Sequence, residues 1–238
     1  MIDLMGGLVV HARLGDRAHY QPIRSRLCKS ARIEDVLAGL LGVFEFDRLY
    51  IADLDALRGG CLQRSSIEAM RRLAPGLALW IDAGIRHARD LSCVAALGTP
   101  VLACETLTCA AAAPLMARSP DAVLSIDYRG EQFLGTPDWL QRPQGWPAHL
   151  IAMNLGRVGS GLGPDLHRVA ALRRLAPHAR LYAAGGVRSL QDLHRCRQAG
   201  AAGALVASAL HEERIRRADL AVACPGPRGG TGPGGGVW

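Results

Sequence analysis

The sequence predicts one α/β domain, a (β/α)8 TIM barrel built from two (βα)4 half-barrels. Three observations lead to this prediction. The chain has 238 residues, close to the roughly 250 that a (β/α)8 barrel typically needs. Short apolar segments alternate with segments of helical periodicity, which indicates a parallel sheet. Related motifs recur at about half the chain length, which indicates an internal duplication.

Eight apolar segments rich in β-forming residues are predicted as the barrel strands. They cover residues 1–4, 48–52, 78–82, 100–103, 122–127, 149–154, 180–184 and 203–207, and residues 8–10 are predicted as a small extra strand. The first of these segments is shorter than the usual strand length of about five or six residues. We therefore expect either that the first strand is frayed or that the native chain starts slightly upstream of Met1.

The segments between the strands are amphipathic and are predicted as helices. Examples are residues 33–43, 65–73, 87–97, 164–175 and 189–198, whose apolar residues follow the helical period. The barrel is expected to occupy residues 1–219. Residues 220–238 are expected to form a flexible tail, because from Pro225 onward the chain is a Pro/Gly-rich string without apolar periodicity.

The repeat aligns the first half of the chain with the second. An Ile-Asp pair with a glycine shortly after it occurs at residues 2–6 and again at residues 126–130. Gly-Ile-Arg at residues 84–86 returns as Gly-Val-Arg at residues 186–188, and a further alignment places Asp53 opposite Asn154. The offsets are unequal, which indicates loops of different length. An open doubly wound sheet gives no reason for such a repeat, so two stacked half-barrels are the better interpretation.

Composition excludes several classes of protein. Hydrophobic residues make up 49% of the chain and charged residues 21%, so a large core can form and global disorder is excluded. The formal charge is +7, but the arginines are spread along the chain, so no nucleic acid is expected as a partner. No apolar run is long enough to span a membrane, and we expect a cytoplasmic protein.

The seven cysteines indicate neither a disulfide framework nor a metal site. Their number is odd, no C-x-x-C pair is present, and the histidines show no ligand spacing. We expect free, mostly buried thiols and no bound metal.

Two aspartates are the candidate catalytic residues. Asp3 and Asp127 each end an apolar strand, and the repeat places them on the first and fifth strands, opposite each other. In a parallel barrel the carboxyl ends of the strands form the active face. Two carboxyl groups there can divide the duties of general acid and general base if their environments separate their pKa values. The alternative is that each aspartate caps the turn that follows it.

Glycine-rich loops after predicted strands indicate phosphate binding. Gly185 and Gly186 follow a strand and precede a helix, where backbone N–H groups can meet an anion at the positive end of the helix dipole. A tight turn between strand and helix needs glycine as well. The predicted binding residues are Gly84, Arg86, Arg157, Gly159, Ser160, Gly185, Gly186 and Ser208.

The first half of the chain carries a poorer version of this loop. Asp82 and Ala83 precede Gly84 there, and Glu105 adds a second carboxylate where a phosphate would lie. Arg86 could equally reach a phosphate or remain in solvent. The sequence therefore predicts one intact phosphate site and one damaged site.

The chain resembles a known family from residue 2 to about residue 212. The segments that carry the resemblance are IDLMGGLVVHARLGD, LYIADLDALRGG, DAVLSIDYRG, MNLGRVGSGLGPDL, YAAGGVRSLQDL and GALVASAL. They are similar to successive strand segments of the HisA/HisF histidine-biosynthesis barrels. SIDYRG and GPDL favour the HisA branch over the HisF cyclase branch.

This resemblance implies an aldose-ketose isomerase that carries out an Amadori rearrangement of a phosphoribosyl-bearing aminoaldose. By the resemblance, Asp3 matches the family's general base and Asp127 its general acid, and neither a metal nor another cofactor is needed. The implied partner is a phosphorylated small-molecule substrate with one phosphate for each half-barrel. We expect a monomer or a weak homo-oligomer.

The chain departs from the family pattern near the expected acid. Met153 and Asn154 stand where the family has Thr-Asp, Val158 replaces a loop aspartate, and Ala207 replaces a glycine. We therefore expect an isomerase with an altered substrate. The alternative is a non-catalytic or re-purposed barrel that binds a phosphorylated metabolite. Two segments, MGGLVVHARLGD and RVGSGLGPDL, resemble divergent HisA-like proteins linked to tetrahydromethanopterin and one-carbon metabolism.

Overall fold

The computed structural model describes residues 1–223. Within them the chain forms eleven strands: β1 (Ile2–Met5), β2 (Leu8–His11), β3 (Gln21–Pro22), β4 (Arg48–Asp53), β5 (Ala78–Asp82), β6 (Thr99–Ala103), β7 (Val123–Arg129), β8 (Gln132–Phe133), β9 (His149–Asn154), β10 (Arg180–Ala184) and β11 (Gly203–Leu205). All except β2, β3 and β8 pair in parallel, in the order in which the chain reaches them. These eight parallel strands are the barrel strands that the alternating pattern predicts.

Contacts between the two ends of the sheet close the (β/α)8 barrel. The Met1 amine donates a hydrogen bond of 2.8 Å to the Val206 carbonyl, which joins the residues that flank β1 and β11. The Arg26 backbone N–H donates to the His211 carbonyl over 3.3 Å. Because β1 pairs with β4 from Ile2 onward, the first strand is ordered rather than frayed.

Ten α-helices lie within residues 1–223: α1 (Ile33–Val43), α2 (Leu54–Leu57), α3 (Arg64–Leu73), α4 (Ala88–Ala95), α5 (Cys109–Arg118), α6 (Asp138–Gln141), α7 (Leu166–Leu175), α8 (Leu190–Gln198), α9 (Ser208–His211) and α10 (Arg217–Ala223). Three of the longer ones begin after a residue whose side chain accepts a hydrogen bond from the first turn: Thr108, Asp165 and Ser189. Such caps satisfy backbone donors that have no partner inside the helix. Over the same residues, no helix combines the length and apolar character that crossing a bilayer requires.

Side chains alternate between two apolar layers along each barrel strand. On β4, Leu49 and Ile51 pack in the layer between sheet and helices, whereas Tyr50 and Ala52 face the barrel interior. Successive side chains of a strand point to opposite faces, so every barrel strand sends alternate residues inward. The interior layer includes the aromatic rings of Trp80 and Tyr182, whose centroids are 4.8 Å apart, beside aliphatic side chains such as Val101 and Ile151.

The two halves of the barrel repeat each other in detail. The strands β1 and β7 are each followed by a short antiparallel strand, β2 and β8. Asp53 and Asn154 each end a barrel strand and accept a hydrogen bond of 3.1 Å from a backbone N–H two or three residues later. Their structural equivalence agrees with the alignment of the two half-chains.

The folded part of the chain extends beyond the predicted boundary at residue 219. The helix α10 runs to Ala223, and Leu220 is 1% exposed and belongs to the core. The remainder of the predicted tail, from residue 224, lies outside the described residues. The expectation of mostly buried thiols is wrong, because of the six described cysteines only Cys104 and Cys196 are buried. Cys28, Cys93 and Cys109 are half-buried, and Cys61 is exposed in the loop between α2 and α3.

Two glycines of α1 offer a matched test of how this helix packs. A Cβ at Gly39 would overlap the backbone carbonyl oxygen of Leu27, whereas a Cβ at Gly42 would meet no atom within 4 Å. We expect Gly39→Ala to lower the free energy of unfolding by about 1–3 kcal/mol, because packed backbone must move. Gly42→Ala is expected to raise it by up to about 1 kcal/mol through helix propensity. Urea unfolding measures both values, and equal effects at the two positions would contradict the contact.

Candidate active site

The carboxyl ends of the barrel strands surround a narrow cleft. Asp3 on β1 and Asp127 on β7 line it from opposite sides, because β1 and β7 are the first and fifth barrel strands. Their strand neighbours Leu4 and Ile126 pack outward against the helices. Strand alternation therefore directs both carboxyl groups into the interior. Other lining residues are Arg17, Tyr20, Tyr50, Asp82, Glu105 and Met153.

Asp127 is 4% exposed, and both of its carboxylate oxygens accept hydrogen bonds. The Ser125 hydroxyl donates to Oδ1 over 2.5 Å, and the Glu105 backbone N–H donates to Oδ2 over 3.3 Å. Burial raises the pKa of Asp127 to about 7; the Ser125 hydrogen bond opposes this, and the charges of Glu105 and Asp82 add to it. A carboxyl group with this pKa can hold a proton near neutral pH and release it, as a general acid must.

Asp3 is buried to nearly the same degree but lacks such partners. It is 8% exposed, and among residues 1–223 no hydrogen bond or salt bridge reaches its carboxylate. Burial raises its pKa to about 7, while the Met1 ammonium and the Arg17 guanidinium act in the opposite direction and Asp82 adds to the rise. A buried carboxylate with a raised pKa and no hydrogen bond from the described residues is suited to accept a proton.

Asp82 contributes a third buried carboxyl group to the cleft. The Tyr50 hydroxyl donates to its Oδ2 over 2.8 Å, and the Gly84 backbone N–H donates to its Oδ1 over 3.3 Å. Burial raises its pKa to about 6, against the effect of the Tyr50 hydrogen bond. The Gly84 N–H, which the sequence proposes as a phosphate donor, is thus engaged by a carboxylate of the protein.

Loops from both halves of the barrel bound the mouth of the cleft. In the loop between β2 and β3, Arg17 donates to Glu105 over 2.8 Å. The backbone N–H of Leu14, in the same loop, donates to the Val158 carbonyl over 2.8 Å. These contacts join the segments that follow β2, β6 and β9.

The predicted phosphate residues lie around the cleft but do not line it. Gly185 and Gly186 have φ of +95° and +87°, a backbone conformation that favours glycine. A Cβ at Gly185 would overlap the Asn154 carbonyl oxygen, and one at Gly186 would overlap that of Gly163. Close approach of neighbouring backbone therefore requires both glycines whether or not an anion binds.

Arg157, Gly159 and Ser160 lie in one loop and make contacts within it, whereas Ser208 contacts a distant residue. Ser160 donates to the Arg157 carbonyl over 2.8 Å, and Gly159, between them, has φ of +63°. The Arg157 guanidinium donates to the Leu162 carbonyl over 3.3 Å. Ser208 starts α9, and its hydroxyl lies 3.3 Å from Nε2 of His11.

Ser208 differs from the rest in its position. It lines an opening next to the cleft, and Asp3 borders both spaces. In the first half, Arg86 turns back and donates to the Gly84 carbonyl over 3.1 Å. The structure thus brings Asp3, Asp127 and Ser208 to one end of the barrel and leaves Arg86 bonded within its own loop.

The residues that replace the family's polar groups fall into two kinds. Met153 and Val158 line the cleft and give it an apolar wall. Asn154 is 2% exposed and holds the turn after β7, because its amide donates to the Gly130 carbonyl over 3.0 Å and to Asp165 over 2.7 Å. Its side chain therefore supports the fold of the site.

Sequence reasoning missed Tyr50, Ser125 and Arg17. A signal existed for Ser125, which lies two residues before Asp127 and hence on the same inward face of β7. No local signal indicates Arg17, because its partner Glu105 is 88 residues away in sequence. In the described part of the chain, no group of three or more His, Cys, Asp or Glu residues is placed to hold a metal ion.

The chain forms a closed parallel barrel, and two buried carboxyl groups face each other at the carboxyl ends of its strands. This arrangement is suited to acid–base chemistry on a small molecule. Comparison with known proteins gives the family. The model described as histidine biosynthesis protein matches residues 1–216, and the chain belongs to this family.

Similar proteins include two isomerases. The 1-(5-phosphoribosyl)-5-((5-phosphoribosylamino)methylideneamino) imidazole-4-carboxamide isomerase of Anaeromyxobacter dehalogenans is 31% identical over 92% of this chain and 94% of its own length. The isomerase of the same name from Thermus thermophilus is 30% identical over 90% of this chain and 94% of its own length. An uncharacterized protein of Methanocaldococcus jannaschii is 24% identical over 89% of this chain and 92% of its own length. The resemblance to the HisA/HisF family is thereby confirmed.

Asp3 is expected to lower the stability of the protein at high pH. Its pKa is about 7 in the folded state against an ordinary value of 3.8, so the folded state binds this proton more tightly. Stability therefore falls as the pH rises from about 4 to about 7. We expect Asp3→Asn to gain up to about 4 kcal/mol over the wild type at pH 8 and little at pH 4, measured by urea unfolding.

The control for this prediction is Asp121→Asn. Asp121 is exposed and precedes β7 at the opposite end of the barrel, so its loss changes the net charge equally without touching the cleft. A gain for Asp3→Asn that is the same at both pH values would contradict the assignment.

Proposed function

We propose that the protein is a HisA-type isomerase that converts a phosphoribosyl-bearing aminoaldose into an aminoketose by an Amadori rearrangement. The observation that carries the proposal is the placement of Asp3 and Asp127 on opposite strands of one cleft, both with pKa values near 7. Family membership and the isomerases among its relatives support the reaction class.

The environments of the two carboxyl groups suggest which role each takes. Asp127, protonated, donates its proton to the ring oxygen of the aminoaldose, which opens the ring and leaves a protonated imine at C1. Asp3, with no hydrogen bond to its carboxylate, then removes the proton from C2, and the electrons of that C–H bond neutralise the imine to an enolamine. Tautomerisation of the enolamine gives the aminoketose. The two groups lie on opposite sides of the cleft, so each can reach a different atom of the same substrate.

The lining of the cleft supports a substrate that differs from that of the isomerase relatives. Met153 and Val158 offer apolar contact where the family pattern has polar residues. Asp82 occupies the Gly84 N–H in the first half of the barrel. We propose that the substrate keeps one phosphate, bound near the loop of Gly185 and Gly186 and the start of α9 at Ser208. The first half does not offer an equivalent site.

The catalytic roles are tested by neutral, nearly isosteric variants. We expect Asp3→Asn and Asp127→Asn each to lower kcat/KM by about 100- to 10,000-fold, because each removes one proton-transfer group. The assay is conversion by purified protein of two aminoaldoses, the doubly phosphorylated one of the histidine pathway and a singly phosphorylated analogue. Complementation of a strain that lacks the isomerase is a second readout. Asp121→Asn is the matched control and is expected to retain wild-type activity. Activity that survives in either cleft variant would contradict the roles.

A second candidate function is binding without catalysis, in a barrel that recognises a phosphorylated metabolite. The apolar replacements Met153 and Val158 favour it, because they remove polar contacts beside the expected acid. A link to one-carbon metabolism has only the motif resemblance as its support. Wild-type protein that binds a phosphorylated ligand but shows no turnover in either assay would favour this candidate.

A further inference from the structure

We propose that the first-half end of the cleft binds an organic cation, an ammonium or guanidinium group, at the end of the substrate remote from the phosphate. This inference rests on the proposed function, since it names the substrate class of the same site. In the proposed substrate, a positively charged group takes the place of the second phosphate of a doubly phosphorylated substrate.

The first observation is the charge of the lining. Four carboxyl groups face the cleft, those of Asp3, Asp82, Glu105 and Asp127. Two basic groups lie there among the described residues, the Met1 amine and the Arg17 guanidinium, and Arg17 is already paired with Glu105 at 2.8 Å. A phosphate placed at this end would face excess negative charge in a site of low dielectric, where repulsion is poorly screened.

The second observation is a difference between the two half-barrels. Asp82 ends β5, and the residue at the matching point of the repeat, Ala184, ends β10. The Asp82 carboxylate accepts the Gly84 N–H and the Tyr50 hydroxyl. The Gly84 N–H, which could otherwise bind a phosphate, is thus bonded to a carboxylate of the protein. At the matching position of the second half, Ala184 offers no carboxylate.

The third observation is that the Asp3 carboxylate accepts no hydrogen bond from the described residues, although the charges of the Met1 ammonium and the Arg17 guanidinium act on its pKa. Asp3 is 8% exposed, it faces the cleft, and among residues 1–223 neither a hydrogen bond nor a salt bridge reaches it. A buried carboxylate without a hydrogen bond is costly, and a cation bound nearby would offset that cost. Asp3, Asp82 and Glu105 come from three different strand segments, so a cationic group at this end of the cleft would meet carboxyl groups from more than one strand.

The raised pKa values of Asp3 and Asp82 agree with this arrangement. Burial raises them to about 7 and about 6, so part of the population is protonated at neutral pH. The other ionisable groups that face this space are Tyr20, Tyr50, Glu105, Asp127, Arg17 and the Met1 amine. A bound cation favours the charged carboxylates, so binding is expected to release protons and to strengthen as the pH rises from 6 to 8.

The experiment compares three series of synthetic probes by isothermal titration calorimetry. They are ω-aminoalkyl phosphates, alkyl phosphates and alkanediol bisphosphates, each with linkers of three to eight carbons. For at least one linker length we expect wild-type protein to bind the aminoalkyl phosphate about tenfold more tightly than the alkyl phosphate, an effect typical of one added charge pair. The bisphosphate is expected to bind no more tightly than the alkyl phosphate.

Variants of Asp82 locate the effect. Asp82→Asn keeps the shape of the side chain and removes its charge, and Asp82→Ala supplies the residue found at the matching point of the second half. Both are expected to lose most of the preference for the amine, and circular dichroism checks that each is folded. Asp121→Asn, which removes a carboxylate at the other end of the barrel, is expected to keep the preference for the amine.

Several results would overturn the inference. They are equal or unmeasurable binding of the aminoalkyl and alkyl phosphates at every linker length, tighter binding of the bisphosphate, and an amine preference that Asp82→Asn leaves intact. Tighter binding of the bisphosphate that appears only when Mg²⁺ is added would assign the carboxylates to a metal ion. Turnover is measured separately, so an amine preference without isomerase activity would remove the proposed function alone, and activity without the preference would remove this inference alone.

Discussion

Closure of a parallel sheet gives every strand one face that points into a shared interior, and the rest of this structure depends on that constraint. The residue at the end of an inward-facing row must project into the space above the packed interior, whatever its type. On β1 and β7 that residue is aspartate, so two carboxyl groups from distant parts of the chain meet over one cleft. Their approach follows from strand alternation and from the half-turn that separates the first and fifth strands.

The cleft concentrates groups that oppose folding. Three buried carboxyl groups have raised pKa values because burial removes water that would stabilise their charge. The surrounding layers compensate with apolar contacts, among them the ring pair Trp80 and Tyr182 beneath the cleft and the outward row of each strand against the helices. A site of this kind trades stability for groups that can exchange protons near neutral pH.

The two half-barrels keep the same scaffold and differ in the chemistry of their loops. Asp53 and Asn154 make equivalent contacts with a following backbone N–H, and β1 and β7 carry equivalent hairpins. By contrast, Asp82 ends β5 where Ala184 ends β10. Backbone geometry is preserved because packing between strands and helices depends on it, while residues at strand ends are free to change with the ligand.

Sequence patterns were enough to predict the fold class and to place every end of the barrel strands within two residues. Through the repeat, they also predicted that Asp3 and Asp127 lie on opposite strands of the barrel. Hydrophobic period and local caps suffice for this, because they act over a few residues, and the repeat supplies the one long-range relation. The tertiary structure alone decided that Arg17 reaches Glu105, that Asp82 takes the Gly84 N–H, and that backbone approach requires Gly185 and Gly186. Tertiary packing also extends the folded region beyond residue 219, because Leu220 is buried against the core and the local sequence did not predict this burial. These features depend on which loops meet at the barrel mouth, and that is set only when eight strands close on one another.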